Sequence, residues 1–109
     1  MELTTTEAGE IALDFLMTDL NLPEEDWEFF SVLSSRAIGE TWCVVEVGLE
    51  GFPDKWVLQV FDTKECDPCY TFNSPIGAAP QHNDLEDMPE SIAQVVTAER
   101  NGGLKEMAV

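Results

Sequence analysis

The first 20 residues place apolar side chains at the three- and four-residue steps of an α-helix, with acidic residues between them. This period predicts an amphipathic helix of about 16 residues, whose apolar side faces a protein core. Thr4 and Glu7 have capping-box spacing, in which the Thr4 hydroxyl accepts the Glu7 amide hydrogen and the Glu7 carboxylate reaches back. Residues 21–23, Asn-Leu-Pro, are expected to end the helix. The apolar positions are Ala8, Ile11, Ala12, Phe15, Leu16 and Leu20.

Three or four β-strands are predicted next, from four candidate segments. Residues 27–35 are rich in Phe, Val and Ser and lack a helical period. Residues 41–49 and 55–62 alternate between two sets of side chains, and residues 69–73 favour a last short strand. Because the connections between these segments are short, the strands are expected to pair as antiparallel neighbours in a meander.

The last third of the chain predicts an irregular segment and a second, shorter helix. Residues 74–88 show no period and are interrupted by proline and glycine. Asp87 is expected to cap the helix, with Pro89 in its first turn. Residues 101–103, Asn-Gly-Gly, are expected to end it, and the tail 104–109 is expected to fray. The apolar side of this helix consists of Ile92, Val95 and Val96.

Together these elements predict a single α+β domain that spans residues 1–109. A helix of about 16 residues is roughly 24 Å long, and strands of about seven or eight residues are roughly 25 Å long. The long N-terminal helix can therefore pack along a three- to four-stranded antiparallel meander sheet and cover one of its faces, with a short C-terminal helix following.

Both faces of the predicted sheet carry large apolar side chains. In residues 41–49 and 55–62, each of the two alternating sets has large apolar members. One helix covers one face, and the second face of a two-layer protein that stands alone should be polar. Either the C-terminal segment folds over the second face, or a partner covers it, by sheet-to-sheet homodimer packing or as a ligand in a cupped sheet. The residues predicted to contact a partner are Trp42, Val44, Val57 and Phe61.

The charge of the chain is strongly negative. It has 22 Asp and Glu against 5 Lys and Arg, a net charge of −17. This charge repels phosphate backbones and anionic lipids, so neither direct nucleic-acid binding nor membrane binding is expected. The acids either form a solvated surface or cover a basic groove of another protein. The candidate acidic contacts are Glu24, Glu25, Asp26 and Glu28.

Composition also bears on the cellular setting. Hydrophobic residues make up 44% of the chain, too many for a disordered acidic tail. No apolar run approaches the roughly 20 residues of a membrane span, and no secretory signal is visible. The three cysteines are an odd number, which does not suggest a secreted disulfide scaffold. A cytoplasmic protein with reduced thiols and no cofactor is therefore expected.

Cys66 and Cys69, separated by Asp-Pro, form the one motif with chemical content. Thiols at this spacing can form a redox pair, or half of a zinc site that Cys43 and His82 would complete. The acidic neighbours oppose thiolate formation, and no helix is predicted to follow the motif. A tight Asp-Pro turn with incidental cysteines is the third interpretation.

No catalytic residues are assigned from the sequence. His82 lies in a polar loop, and no serine or cysteine can be placed beside it. Neither a calcium-binding loop nor a glycine-rich phosphate loop is present in the sequence.

The segment from residue 5 to residue 73 resembles small cystatin-like domains, which include PepSY-type modules and bacterial immunity-protein domains. The resemblance depends on a helix followed by the runs 42–47 (Trp-Cys-Val-Val-Glu-Val) and 55–62 (Lys-Trp-Val-Leu-Gln-Val-Phe-Asp). It implies a helix packed on a curved sheet and a non-catalytic role in inhibiting, neutralising or binding another protein, often as a dimer. Residues 66–69 depart from the pattern, since a glycine-centred turn would be usual there. The wider superfamily also includes enzymes and ligand binders with pockets.

The leading hypothesis is a non-catalytic, acidic protein-interaction or inhibitor module that forms a homodimer through an apolar sheet face. The first alternative is a small-molecule binder or enzyme with a pocket between the helix and the sheet. The second is a zinc or redox protein that uses Cys66 and Cys69.

Overall fold

The predicted capping box starts the first helix, α1 (Thr5–Asp19). In this computed structural model, which describes residues 3–77 and 82–101, the Thr4 hydroxyl accepts the Glu7 amide hydrogen at 3.0 Å. The Glu7 carboxylate in turn accepts the Thr4 amide hydrogen at 3.4 Å. The helix ends at Asp19, with Leu20 as its C-cap, just before the predicted stop at residues 21–23. Asn21 then has a φ of 55°, in the left-handed region that Asn tolerates.

A 3-10 helix (Glu24–Phe29) follows α1. The prediction that a strand starts at Trp27 is therefore wrong. Pro23 has its φ fixed near the value that a helix start needs, and its carbonyl accepts the Asp26 amide hydrogen at 2.9 Å. The Trp27 indole donates to the carbonyl oxygen of Leu22 at 3.0 Å, which ties this ring to the segment between α1 and the 3-10 helix.

The four predicted strands form one antiparallel sheet in the order in which they occur in the sequence. The first strand extends three residues beyond the predicted segment, to a tight turn at Gly39, whose φ of 71° favours glycine. The predicted meander is thus confirmed. The strands are β1 (Phe30–Ile38), β2 (Trp42–Leu49), β3 (Lys55–Phe61) and β4 (Thr71–Asn73).

One face of this sheet, which we call the inner face, packs against α1. The Ser35 hydroxyl on this face donates to the Thr5 carbonyl oxygen at 2.6 Å. Trp56 is fully buried here. Its ring centroid lies 5.6 Å from that of Phe30 and 5.1 Å from that of Phe72. Cross-strand pairs on the inner face are fully buried, and so are the facing residues of α1. These residues are Cys43 with Val60, Val45 with Leu58, and Val47 with Trp56, together with Ala8, Ala12, Leu16 and Met17.

A β-bulge interrupts the pairing of β1 with β2. Val32 pairs with Val47 and Ser34 pairs with Glu46, which leaves Leu33 as an extra residue in β1. The Leu33 side chain lies over Gly48, and it is 52% exposed. The bulge changes which residues of β1 point to each face.

The chain divides into two compact units at the Asn73–Ser74 bond. The second unit contains a 3-10 turn (Asn83–Leu85) and the helix α2 (Glu90–Arg100). The expected second helix is confirmed, but Asp87 does not cap it, since Pro89 occupies the N-cap position and no side chain caps the helix. The predicted frayed tail, 104–109, lies outside the described residues, and a single domain over residues 1–109 stays a prediction.

Arg100 anchors the end of α2 within this second unit. Its side chain is fully buried and donates two hydrogen bonds to the Asp84 carboxylate, at 2.9 Å and 2.8 Å. These hydrogen bonds hold the pKa of Asp84 below its ordinary value. The pair therefore fixes the last turn of α2 to the 3-10 turn.

Candidate interaction surface

The face of the sheet away from α1, which we call the outer face, carries a continuous apolar row at one end. Ile38 of β1 pairs with Trp42 of β2, and Trp42 pairs with Phe61 of β3. Directly paired side chains are close enough to contact each other. Ile38 and Trp42 are half-buried, and Phe61 is 37% exposed. We call these three residues the outer row.

The remaining predicted contacts lie at different distances from this row. Val44 is two residues along β2 from Trp42, on the same face, and it pairs with Gln59. Val57 pairs with Glu46, and Gln59 separates it from Phe61 along β3. The structure therefore brings Trp42, Val44 and Phe61 together. It separates Val57 from them by the polar side chain of Gln59.

Ile38 is a member of the outer row that the sequence analysis missed. The predicted first strand ends at residue 35, whereas β1 continues to Ile38. The signal that could have found it is the short polar segment Gly39-Glu40-Thr41 between two apolar runs, which is typical of a tight hairpin. A hairpin at that position extends β1 to residue 38.

The charge of the outer face differs from that of the whole chain. Its charged strand residues are Arg36, Glu46 and Lys55, two cations and one carboxylate. Lys55 Nζ lies 3.8 Å from Glu46 Oε1. In a chain with a net charge of −17, this face therefore has a local charge of about +1.

Three of the four acidic contact candidates are exposed on the 3-10 helix before β1, namely Glu24, Glu25 and Glu28. Asp26 is different, because it is only 7% exposed. A carboxylate this buried is not presented to a partner, whereas the three exposed acids stay predicted contacts. Asp26 lies in a run of acids, so the sequence pattern alone does not distinguish it from Glu24, Glu25 and Glu28.

The cysteine motif lies where the chain turns back along β3. Cys66 forms an isolated bridge with Val60, and the Cys69 amide donates to the Asp67 carboxylate at 2.9 Å, as in an Asx turn. Burial, with a contribution from the negative charge of Asp67, raises the pKa of the Cys66 thiol to about 11. This thiol is thus protonated at neutral pH, which opposes nucleophilic redox chemistry.

The zinc interpretation needs a cluster of ligands. Cys43 is fully buried on the inner face, and His82 Nε2 lies 3.2 Å from Asn101 Oδ1. Among residues 3–77 and 82–101, no group of three or more His, Cys, Asp and Glu side chains is placed to hold a metal ion.

A shallow, open depression of about 350 Å³ lies along α2. All of its lining residues come from this one helix. A pocket of the kind predicted by the small-molecule hypothesis would instead lie between α1 and the sheet. The lining residues are Glu90, Ala93, Gln94, Thr97 and Ala98.

No protein-family model matches the chain, and neither does any curated protein or solved structure. The resemblance to cystatin-like domains therefore stays a prediction. Within the part of the chain that the structure describes, no helix has the length and apolar character needed to cross a membrane. The fold is α+β, with a helix on one face of a four-stranded antiparallel meander.

Proposed function

We propose that this protein is a non-catalytic interaction module, of the inhibitor or immunity type, that forms a homodimer through the outer face of its sheet. The observation that carries the proposal is the outer row, Ile38, Trp42 and Phe61, on the face opposite α1. Two such faces can pack as aligned sheets about 10 Å apart around a two-fold axis. Each row would then contribute apolar surface to a shared core.

The local charge favours this face over other parts of the surface. Two copies with a net charge of −17 each repel one another wherever acidic surfaces meet. On the outer face, Arg36 and Lys55 outnumber Glu46, so self-association through this face keeps most acidic residues away from the contact. The longer-range repulsion between the two whole chains remains. Dimerisation through the outer face leaves the exposed acids Glu24 and Glu28 available to a cationic protein partner.

A cytoplasmic setting fits this proposal. Cys43, Cys66 and Cys69 are all free thiols, and reduced thiols are the normal state of cysteines in the cytoplasm. The acidic character makes a protein partner more suitable than a nucleic acid or an anionic membrane.

The test is the mass of the full chain in solution, measured by sedimentation equilibrium over a range of concentrations. We expect a dimer for the natural sequence and a folded monomer for Phe61→Glu and for Trp42→Glu, because each substitution places a carboxylate in the shared core. Phe29→Glu is the matched control, since Phe29 is 38% exposed and Phe61 is 37% exposed, but Phe29 lies outside the outer face. Circular dichroism establishes that each variant is folded.

A natural chain that is monomeric at the highest concentration overturns the dimer. So does a Phe61→Glu variant that stays dimeric, or a Phe29→Glu variant that dissociates to the same extent as Phe61→Glu.

A further inference from the structure

We infer that the unpaired edge of β1 is a docking site for an extended, basic segment of another protein, which binds as an added strand. This site is separate from the outer row, and the inference does not depend on dimerisation. The described strands have the order β1-β2-β3-β4, so within residues 3–77 and 82–101 β1 pairs with a strand on one side alone. Apart from that pairing, the backbone of β1 makes one hydrogen bond among the described residues, from the Phe30 amide to the Trp27 carbonyl. The other edge therefore offers free donors and acceptors to an added strand.

Apolar side chains are concentrated at the beginning of this edge. Of the four exposed large apolar residues in the described chain, three lie between residues 29 and 33. Phe29 is 38% exposed, Val32 is 38% exposed and Leu33 is 52% exposed. Strand addition would remove this apolar surface from water as well as satisfying backbone groups.

The bulge places the Val32 and Leu33 side chains on opposite faces of the sheet. Val32 lies beside Gly9 of α1 and so flanks the edge on the inner face, while Leu33 lies over Gly48 and flanks it on the outer face. Side chains of an added strand alternate between the two faces. Such a strand would therefore meet an apolar neighbour of β1 on each face.

The negative charge beside the β1 edge favours a basic segment as the added strand. The exposed acids Glu24, Glu25 and Glu28 lie on the 3-10 helix that leads directly into β1. A second copy of this chain would bring further acids to the same place, so like charges disfavour the pairing of two β1 edges. A segment with apolar residues at its centre and Lys or Arg at one end meets complementary charge instead.

The probe is a synthetic peptide of about ten residues, in which Val and Thr alternate and Lys-Arg-Lys forms one end. One version carries Lys-Arg-Lys at its N-terminus and the other carries it at its C-terminus. With the full chain, we expect one version to bind with a Kd below about 100 μM and to slow hydrogen exchange of β1 amides. Every second peptide N–H points to β1 in an added strand, so the peptide residues form two alternating sets. N-methylation of the set whose N–H groups face β1 should lower the affinity about tenfold, because it removes those donors. N-methylation of the other set should leave the affinity unchanged. Replacement of Lys-Arg-Lys by Glu-Glu-Glu should abolish binding.

Charge reversal on the protein supplies the matched pair of variants. Glu28→Lys should weaken peptide binding about fivefold or more at low salt, because it removes an attractive charge and adds a repulsive one. Glu65→Lys makes the same change in net charge at an exposed acid that follows β3, two strands away from β1 in the sheet order. It should change the affinity less than about twofold.

The two proposals fail independently. Phe29→Glu should abolish peptide binding and leave dimerisation unchanged. Phe61→Glu should abolish dimerisation and leave peptide binding unchanged. The inference is overturned if neither basic peptide protects β1 amides, if both N-methylated sets bind as well as the parent peptide, or if Glu65→Lys weakens binding as much as Glu28→Lys.

Discussion

Gly48 shows how closely the chain is fitted at a single residue. It lies in β2 on the outer face, and it is buried. A Cβ atom at this position would lie 2.7 Å from Leu33 Cδ1 and 3.0 Å from the backbone oxygen of Asp54. The Leu33 side chain is half exposed and can move, but a backbone oxygen cannot move without a shift of the turn before β3.

We therefore expect Gly48→Ala to lower the free energy of unfolding by about 1–3 kcal/mol, although Ala restricts the unfolded chain more than Gly does. Adding Leu33→Ala should recover part of this loss and not all of it, because the contact with Asp54 remains. Urea denaturation of the full chain measures both effects. Gly77→Ala is the control, since no atom of the described residues lies within 4 Å of its Cβ position. An equal loss for Gly48→Ala and Gly77→Ala would contradict the close fit.

Residue-level features of the site could be predicted in part. Alternation along β2 placed Trp42 and Val44 on one face, because side-chain direction in a strand has a period of two. Pairing could not be predicted in this way, since it depends on which residue of the next strand lies opposite. The register of β2 with β3 places Trp42 opposite Phe61, and it places Val57 opposite Glu46, away from Trp42. The burial of Asp26 is likewise a property of packing.

At the level of elements, the strands that alternate were predicted well and β1 was not. The segment from Phe30 to Ile38 contains a bulge at Leu33, which breaks the period of two, and its sequence therefore shows no regular alternation. Residues Trp27 to Phe29 have side chains typical of strands, but Pro23 and the acids after it favour a helical turn. The fixed φ of Pro23 and the acids in the first turn thus favour a helical turn where apolar content suggests a strand.

The link between α2 and the 3-10 turn at Asn83–Leu85 gives a prediction at the same scale. Asp84→Asn should destabilise α2 by about 1–2 kcal/mol, less than for a fully buried pair because Asp84 is 41% exposed. Arg100 would lose a charged partner while its guanidinium stays buried. Hydrogen exchange of the α2 amides at pH 7 measures the loss. Glu86→Gln, which removes an exposed acid beside the same turn, is the control and should leave exchange unchanged.

The pH dependence of this link follows from the lowered pKa of Asp84. A carboxyl group with a lower pKa in the folded state stabilises that state above its unfolded pKa, near 4. The contribution is lost as the pH falls through the folded pKa. Protection of α2, corrected for intrinsic exchange, should therefore decrease below about pH 4 in the natural chain and decrease less in Asp84→Asn. Identical pH profiles would show that the pair does not stabilise α2.

At the scale of the whole molecule, the two proposed associations should respond to salt in opposite directions. Dimerisation brings together two chains of charge −17, and salt screens their repulsion. Binding of a basic segment depends on attraction, which salt weakens. Between about 20 and about 300 mM NaCl, we expect the dimer Kd to fall and the peptide Kd to rise, each about threefold or more. Potassium chloride should give the same shifts, and a shift of both constants in one direction would contradict the two interfaces.

The strand order also determines how the sheet can be assembled. Each strand pairs with a strand next to it in the sequence, through connections at residues 39–41, 50–54 and 62–70. Closing such short loops costs little chain entropy, and contacts between near neighbours in the sequence speed folding. The sheet can therefore grow one hairpin at a time as the chain leaves the ribosome, with α1 and β1 already present when β2 is made.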